Sequence, residues 1–307
     1  MPSSMPSSMP YWPLMSAEAQ SRGARDLLHD VGRAIADFHL ISGGDRIMVA
    51  VSGGKDSYAL LLLLEALRRR APIGFELVAV HLDQAQPGHD ATPLAGWLER
   101  EGFPHRIVRE DTYTIVQQKI GPGQIPCSMC ARLRRAVLYR IADELGCNKI
   151  ALGHHRDDAI ETLLLNLFFA GKLAAMPAHL TSDDRAHVVI RPLIYCSEQA
   201  LAEFAARQRV PILPCNLCGS QPVTRRKQMK TMLARLESEH PNIRQTMLAA
   251  LGNVQLSHLL LRDGAQGSPA GVEGPRAKGS RLPTKMVELG SGELEDPAAR
   301  GQKPEDA

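Results

Sequence analysis

The chain has 307 residues, 44% of them hydrophobic and 22% charged, with a net charge of +3. That suffices for one large or two modest globular domains with a true core, and with aromatics at 4% the core must be mostly aliphatic. The longest apolar runs, "YALLLLLEAL" and "TLLLNLFFA", are too short to span a bilayer, and the N-terminus reads as no secretory leader, so the expectation is a cytoplasmic protein with no membrane role.

Residues 1–15 repeat "MPSS" and are expected to be disordered. "RIMVAVS" predicts a buried strand, followed by a helix over 56–70. "FELVAVHLD" and "HRIVRE" predict two more strands, then come a helix over 131–145, a strand at "KIALG" and a helix over 157–170. "HVVIRPL" reads as another strand and 197–208 as another helix. Strands alternating with helices predict an α/β fold, an open parallel sheet with helices on both faces. Helices near 223–239 and 242–261 predict a C-terminal helical extension. Beyond 263 the chain is too rich in Gly, Pro and charge to offset its ordering entropy. The expected division is a disordered N-terminus (1–15), a main domain (16–218), the extension (219–262) and a disordered tail (263–307).

The first chemical signal is "SGGKDS", residues 52–57. It follows the first strand and opens a helix, at the carboxyl edge where parallel sheets bind ligands. Gly53 and Gly54 permit positive φ and close backbone approach. Successive N–H groups and the helix N-terminus then face an anion. Lys55 adds a full charge, and Ser52 and Ser57 add hydroxyls. The glycines are adjacent and Asp56 separates Lys55 from Ser57, so this is not the G-x-x-x-x-G-K-[ST] nucleotide loop.

The hexapeptide resembles the PP-loop of the ATP pyrophosphatase superfamily, whose members adenylate a substrate and release pyrophosphate. The resemblance implies that the loop cradles the leaving pyrophosphate of ATP. It also implies that His81, Leu82 and Asp83, on the second strand, line the adenosine pocket. "ALGHHRDDAIET" (151–162) resembles the superfamily's second signature. There Gly153 would approach the nucleotide, and Asp157 or Asp158 would hold Mg²⁺ through hard oxygens. Both aspartates also read as caps of the next helix.

Of six cysteines, four form the pairs Cys127/Cys130 and Cys215/Cys218. Two C-x-x-C pairs signal a metal, with zinc on four thiolates the default. These pairs lie too far apart for a zinc ribbon. Both read as loops just ahead of helices, at the mouth of the nucleotide pocket. Cys147 and Cys196 read as buried, inert thiols. Basic runs follow each pair: Arg132, Arg134, Arg135 and Arg140 after the first, Arg225, Arg226, Lys227 and Lys230 after the second. They suit a phosphate-binding rim.

"GDRIMVAVSGGKDSY", "CSMCARLRR", "KIALGHHRDD" and "PILPCNLCGSQP" together resemble the bacterial tRNA 2-thiocytidine synthetases. That resemblance implies ATP-dependent transfer of sulfur to C2 of cytidine 32 in the tRNA anticodon loop. It implies a [4Fe–4S] cluster held by Cys127, Cys130 and Cys218, with Cys215 ambiguous, and a sulfur donor such as a cysteine desulfurase. Lys55, Asp56 and the three cluster cysteines are then the catalytic candidates. A homodimer is left open. The alternatives in the same superfamily are a uridine or thymidine 2-sulfurtransferase and a lysidine synthetase-like ligase. The latter needs no cysteine cluster.

Overall fold

The computed structural model describes residues 22–119, 127–182, 187–214 and 225–260. The expected disordered ends, Cys215 and Cys218 lie outside them, as does the side chain of Cys127.

The sheet forms where the apolar runs predict it. β1 (Arg46–Ala50) is an aliphatic run with a buried centre, as suits a strand covered on both faces. It pairs in parallel with β2 (Glu76–Asp83), Met48 opposite Val78, and with β4 (Lys149–Ala151), Val49 opposite Ala151. β3 (His105–Arg109) joins β2, and β6 (Val188–Ile190) joins β4, both in parallel. The expected all-parallel sheet needs one correction. The edge strand β5 (His179–Thr181) runs antiparallel to β6. Three residues are too few to carry a strand period. The order is β3-β2-β1-β4-β6-β5. Chain direction across the sheet therefore reverses between β1 and β4, which opens the crevice where such folds bind ligands.

Helices α1 (Arg22–Asp37), α2 (Lys55–Arg68) and α7 (Glu198–Arg207) pack together over one face. Leu60, Leu61, Leu63 and Leu64 of α2 have no exposed surface, which explains its unbroken apolar run. α1 buries Ala24, Leu27, Val31 and Ala34 at helical spacing. α3 (Thr92–Arg100) and α4 (Thr112–Lys119) complete the β2–β3 side. These three helices, α1, α3 and α4, are additions to the expected elements.

α5 (Cys127–Glu144) starts earlier than expected and takes both cysteines of the first pair into its opening turn. α6 (Arg156–Leu165) is shorter than expected; Asn166–Ala170 continue as a π-helical turn, closed by Gly171 at φ 59°. α8 (Arg225–Glu239) and α9 (Ile243–Leu251) lie against α6. Ile160 and Leu164 of α6 meet Met229 and Leu233 of α8 in a small core. The second extension helix stops at Gly252, ten residues short of the apolar reading, because Gly and Asn break it. Among the described residues no helix is long and apolar enough to cross a membrane.

Candidate nucleotide site and first cysteine pair

The loop after β1 is held by its own serines. Ser57 Oγ donates to the Gly54 carbonyl at 2.8 Å and accepts the Ser52 N–H at 3.1 Å. Ser52 Oγ donates to Ser57 Oγ at 3.3 Å and accepts the Gly54 N–H at 3.3 Å. The hydroxyls expected to donate to an anion thus shape the loop instead, while its geometry keeps the cradle open. Gly53 has φ +86°, and a Cβ there would meet Leu213 at 2.8 Å. The Leu213 N–H donates to the Gly53 carbonyl at 3.0 Å, so the chain passes over the loop immediately before the second cysteine pair begins.

The second signature closes in from β4. A Cβ on Gly153 would lie 3.2 Å from the Asp56 carbonyl and the Ser57 nitrogen. Gly153 is therefore what lets β4 approach the loop backbone. Past it, Asp56, His155, Asp158, Glu161, Glu198, Arg226, Lys227 and Lys230 line a cavity of about 340 Å³. Lys55 Nζ bonds Asp56 Oδ2 at 3.0 Å and Glu198 Oε1 at 3.3 Å. Arg226 bonds Asp158 at 2.8 Å and reaches Glu161 at 3.5 Å, and Lys230 holds Glu198 at 2.6 Å. Burial acts to raise the Glu198 pKa, but Lys230 and Lys55 outweigh it and the value falls. At Glu161 burial wins over Arg226 and the value rises.

Two side-chain atoms at the cavity lack partners. Asp56 Oδ1 and His155 Nδ1 are buried without a hydrogen-bond partner among the described residues. No group of three or more His, Cys, Asp or Glu encloses a metal-sized point there. Mg²⁺ at such sites takes one or two carboxylates and completes its shell with phosphate and water.

Other expected residues hold the framework. His81 is buried; its Nδ1 bonds the Val51 carbonyl at 2.8 Å and its Nε2 meets His89 Nε2 at 3.0 Å. Burial lowers its pKa, so the neutral ring donates from Nδ1 to Val51 and accepts from His89. Asp83 Oδ1 accepts the Ala85 N–H at 2.8 Å and fixes the turn after β2, where Ala85 has φ 58°. Asp157 is committed on both oxygens, one to Arg244 at 2.7 Å and one to the Glu198 N–H at 2.8 Å. It caps α7 rather than α6. Of the two aspartates Asp158 faces the cavity.

Cys130 Sγ donates to Gln84 Oε1 at 3.4 Å. Gln84 directly follows β2, the strand beside β1, so Cys130 reaches the same carboxyl edge as the loop.

A family model described as a PP-loop domain matches residues 27–213. The chain is 55% identical over 256 residues to a tRNA-cytidine(32) 2-sulfurtransferase of Sorangium cellulosum, covering 83% of this chain and 90% of that one. It is 56% identical over 229 residues to the enzyme of that name from Nitrosomonas europaea, covering 75% and 73%. The chain belongs to the tRNA-cytidine(32) 2-sulfurtransferase family. A solved structure of the U34-tRNA thiolase NcsA from Methanococcus maripaludis, with its [4Fe–4S] cluster, shares the fold at TM-score 0.61 and 21% identity, over 77% of this chain and 80% of that one.

As a member of the sulfurtransferase family, the chain puts its basic residues to divided use. Arg226, Lys227 and Lys230 line the cavity. Arg140 pairs with Glu110 and with Glu144. Arg132, Arg134 and Arg135 remain exposed along α5. Glu161, Glu198 and Arg244 were missing from the expected site, and no local spacing marks them.

Proposed function

We propose that the chain adenylates the C2 oxygen of cytidine 32 in the tRNA anticodon loop with ATP and replaces that oxygen by sulfur. The cavity between β1 and β4, lined by Asp56, Asp158 and Glu198, with Lys55 bonded to Asp56 and Glu198 and Cys130 at the adjoining strand end, carries this reading. The C2 oxygen attacks the α-phosphate and pyrophosphate leaves into the glycine cradle. Lys55 and the loop N–H groups stabilise its charge. Asp56 and Asp158 would hold Mg²⁺ on that pyrophosphate. Arg226 and Lys230 exchange their carboxylate partners for phosphate oxygens. Sulfur at the hydrosulfide level then adds at C2, its proton is lost, and AMP departs with the former C2 oxygen.

Cys127, Cys130 and Cys218 would hold a [4Fe–4S] cluster. Three thiolates leave one iron with a coordination position open to sulfur. A sulfur donor such as a cysteine desulfurase, together with a two-electron reductant that brings its persulfide sulfur to the sulfide level, would replenish the sulfur. Mass spectrometry of tRNA nucleosides from a deletion strain tests the reading. We expect 2-thiocytidine to vanish and to return with the gene; loss of a 2-thiouridine instead, or no loss, overturns it.

A further inference from the structure

The π-helical turn after α6 leaves consecutive large apolar side chains in water. Leu167 is 46%, Phe168 53% and Phe169 44% exposed, and Leu173 just beyond is 61% exposed. Apolar clusters of this kind mark contact surfaces, and π-helical turns concentrate at functional sites.

The surroundings indicate what covers them. Arg225 lies over the Phe169 ring, its guanidinium carbon 4.6 Å from the centroid. Lys172 is exposed on the same segment. Neither 166–182 nor 225–231 contains an Asp or Glu. A second copy docked here by a two-fold axis would set this positive charge against itself with no carboxylate in either segment to neutralise it. Unpaired RNA fits on both counts, offering phosphates to Arg225 and Lys172 and flat bases to the rings. The patch also adjoins the cavity, since Arg226, next to Arg225, donates to Asp158 at 2.8 Å. At helical rise, Phe169 stands about 16 Å along from Asp158, within reach of nucleotides neighbouring one inserted in the cavity.

We infer that Phe168 and Phe169 form a stacking platform for unpaired anticodon-loop bases next to the one that enters the cavity. This rests on the reading of the chain as tRNA-thiolating and adds the surface that opens the loop. Aromatic faces stack on any base, so the platform holds the loop without choosing its sequence.

Binding of an anticodon stem-loop RNA to the full, anaerobically prepared chain tests this, with molar mass and ATP binding followed in parallel. Phe168→Leu and Phe169→Leu keep apolar bulk and lose the ring; the Tyr variants keep the ring. The Leu variants should bind roughly 5- to 150-fold more weakly for each base stacked, with an unchanged salt slope and unchanged ATP binding. The Tyr variants should bind like wild type. Arg225→Ala should lower the salt slope by about one unit. Leu variants as tight as wild type overturn the platform and leave the proposed function standing, and Tyr variants as weak as Leu ones do the same. A halved molar mass in the Leu variants shows a contact between copies and also overturns it. A wild-type chain that does not bind the stem-loop sinks the functional reading as well.

Discussion

Lys55 and Glu198 are 143 residues apart in sequence, and their Nζ and Oε1 stand 3.3 Å apart across the nucleotide cavity. Glu198 simultaneously holds Lys230 at 2.6 Å. Burial alone would lower the Lys55 pKa, but Asp56 and Glu198 outweigh it and the value rises. The loop lysine is therefore charged at every working pH, and its partners are ones that phosphate oxygens can displace.

Lys55→Ala is expected to leave the fold intact and cut pyrophosphate release by on the order of 10²–10³. Lys230 and Arg226 are further cations in the cavity, but they come from α8 and are engaged by Glu198 and Asp158. Pyrophosphate release with tRNA and a thermal melt check this together. Near-normal thiolation by the folded variant would remove the loop assignment.

Arg244→Ala should destabilise the chain by about 3 kcal/mol, the low end for breaking a buried pair, because Arg156 also stands near the stranded carboxylate. Arg244 and Asp157 are 10% and 4% exposed at the side chain, and Arg156 lies 3.4 Å from Asp157. Burial acts against the Asp157 charge; the Glu198 N–H, Arg156 and Arg244 outweigh it and lower the pKa. Urea unfolding at an unchanged m-value measures the loss. Adding Asp157→Asn should recover part of it, since the stranded charge is then gone.

What could be read in advance follows from range. "RIMVAVS" and "FELVAVHLD" carry their burial locally, so β1 and β2 were legible, as was the loop between β1 and α2. Glu198 was not, because its meeting with Lys55 depends on α7 packing against α2. His81 sits at the expected strand end, but its buried contacts with Val51 and His89 depend on the loop after β2 and could not be read locally. The π-helical turn escaped because "NLFFA" continues the apolar pattern of α6. Asp157 and Asp158 are equivalent in sequence, and their partners tell them apart: Arg244 and the Glu198 N–H for Asp157, Arg226 and the His155 N–H for Asp158.

Arg134 and Arg226, alike in sequence, should separate by assay. Arg134 is exposed on α5, so Arg134→Ala should flatten the salt dependence of tRNA binding by about one unit and leave ATP binding alone. Arg226 bonds Asp158 inside the cavity, so Arg226→Ala should weaken ATP binding. Titrations with tRNA and with ATP at several salt concentrations decide it; equal effects of the two changes would refute the division.

Burial, with the nearby Arg191 adding to it, pushes the His154 pKa down to about 4. In the unfolded chain the value is about 6.5. Between those values the unfolded state binds a proton that the folded state refuses, so stability falls as pH drops from about 6.5 to about 4. The His154 contribution is fully present above that window. His154→Asn keeps an acceptor for Arg191 Nε, now 3.4 Å from His154 Nδ1, and does not titrate. The variant should lose less stability than wild type across the window, with a residual slope from His81, whose pKa burial also lowers. Parallel slopes for both proteins would assign the acid sensitivity elsewhere.

The cysteines allow the sharpest test. Anaerobically purified protein should contain about four irons and four sulfides per chain, with zinc only sub-stoichiometric. Cys127→Ala, Cys130→Ala and Cys218→Ala should each lose iron and the thiolated nucleoside together. Cys147 and Cys196 are buried, and burial raises both thiol pKa values. Neither is available as a thiolate, so Cys147→Ala and Cys196→Ala should keep their iron. Cys215→Ala decides the ligand count. Retained iron and thiolation leave three thiolates and one open iron. Loss of iron in Cys215→Ala means four thiolates and a closed cluster, and sulfur would then have to arrive as a persulfide on a cysteine outside it. Loss of one tightly bound zinc from all four variants, with no iron in the wild type, would replace the cluster by a structural metal and remove the sulfur-carrying role from these residues.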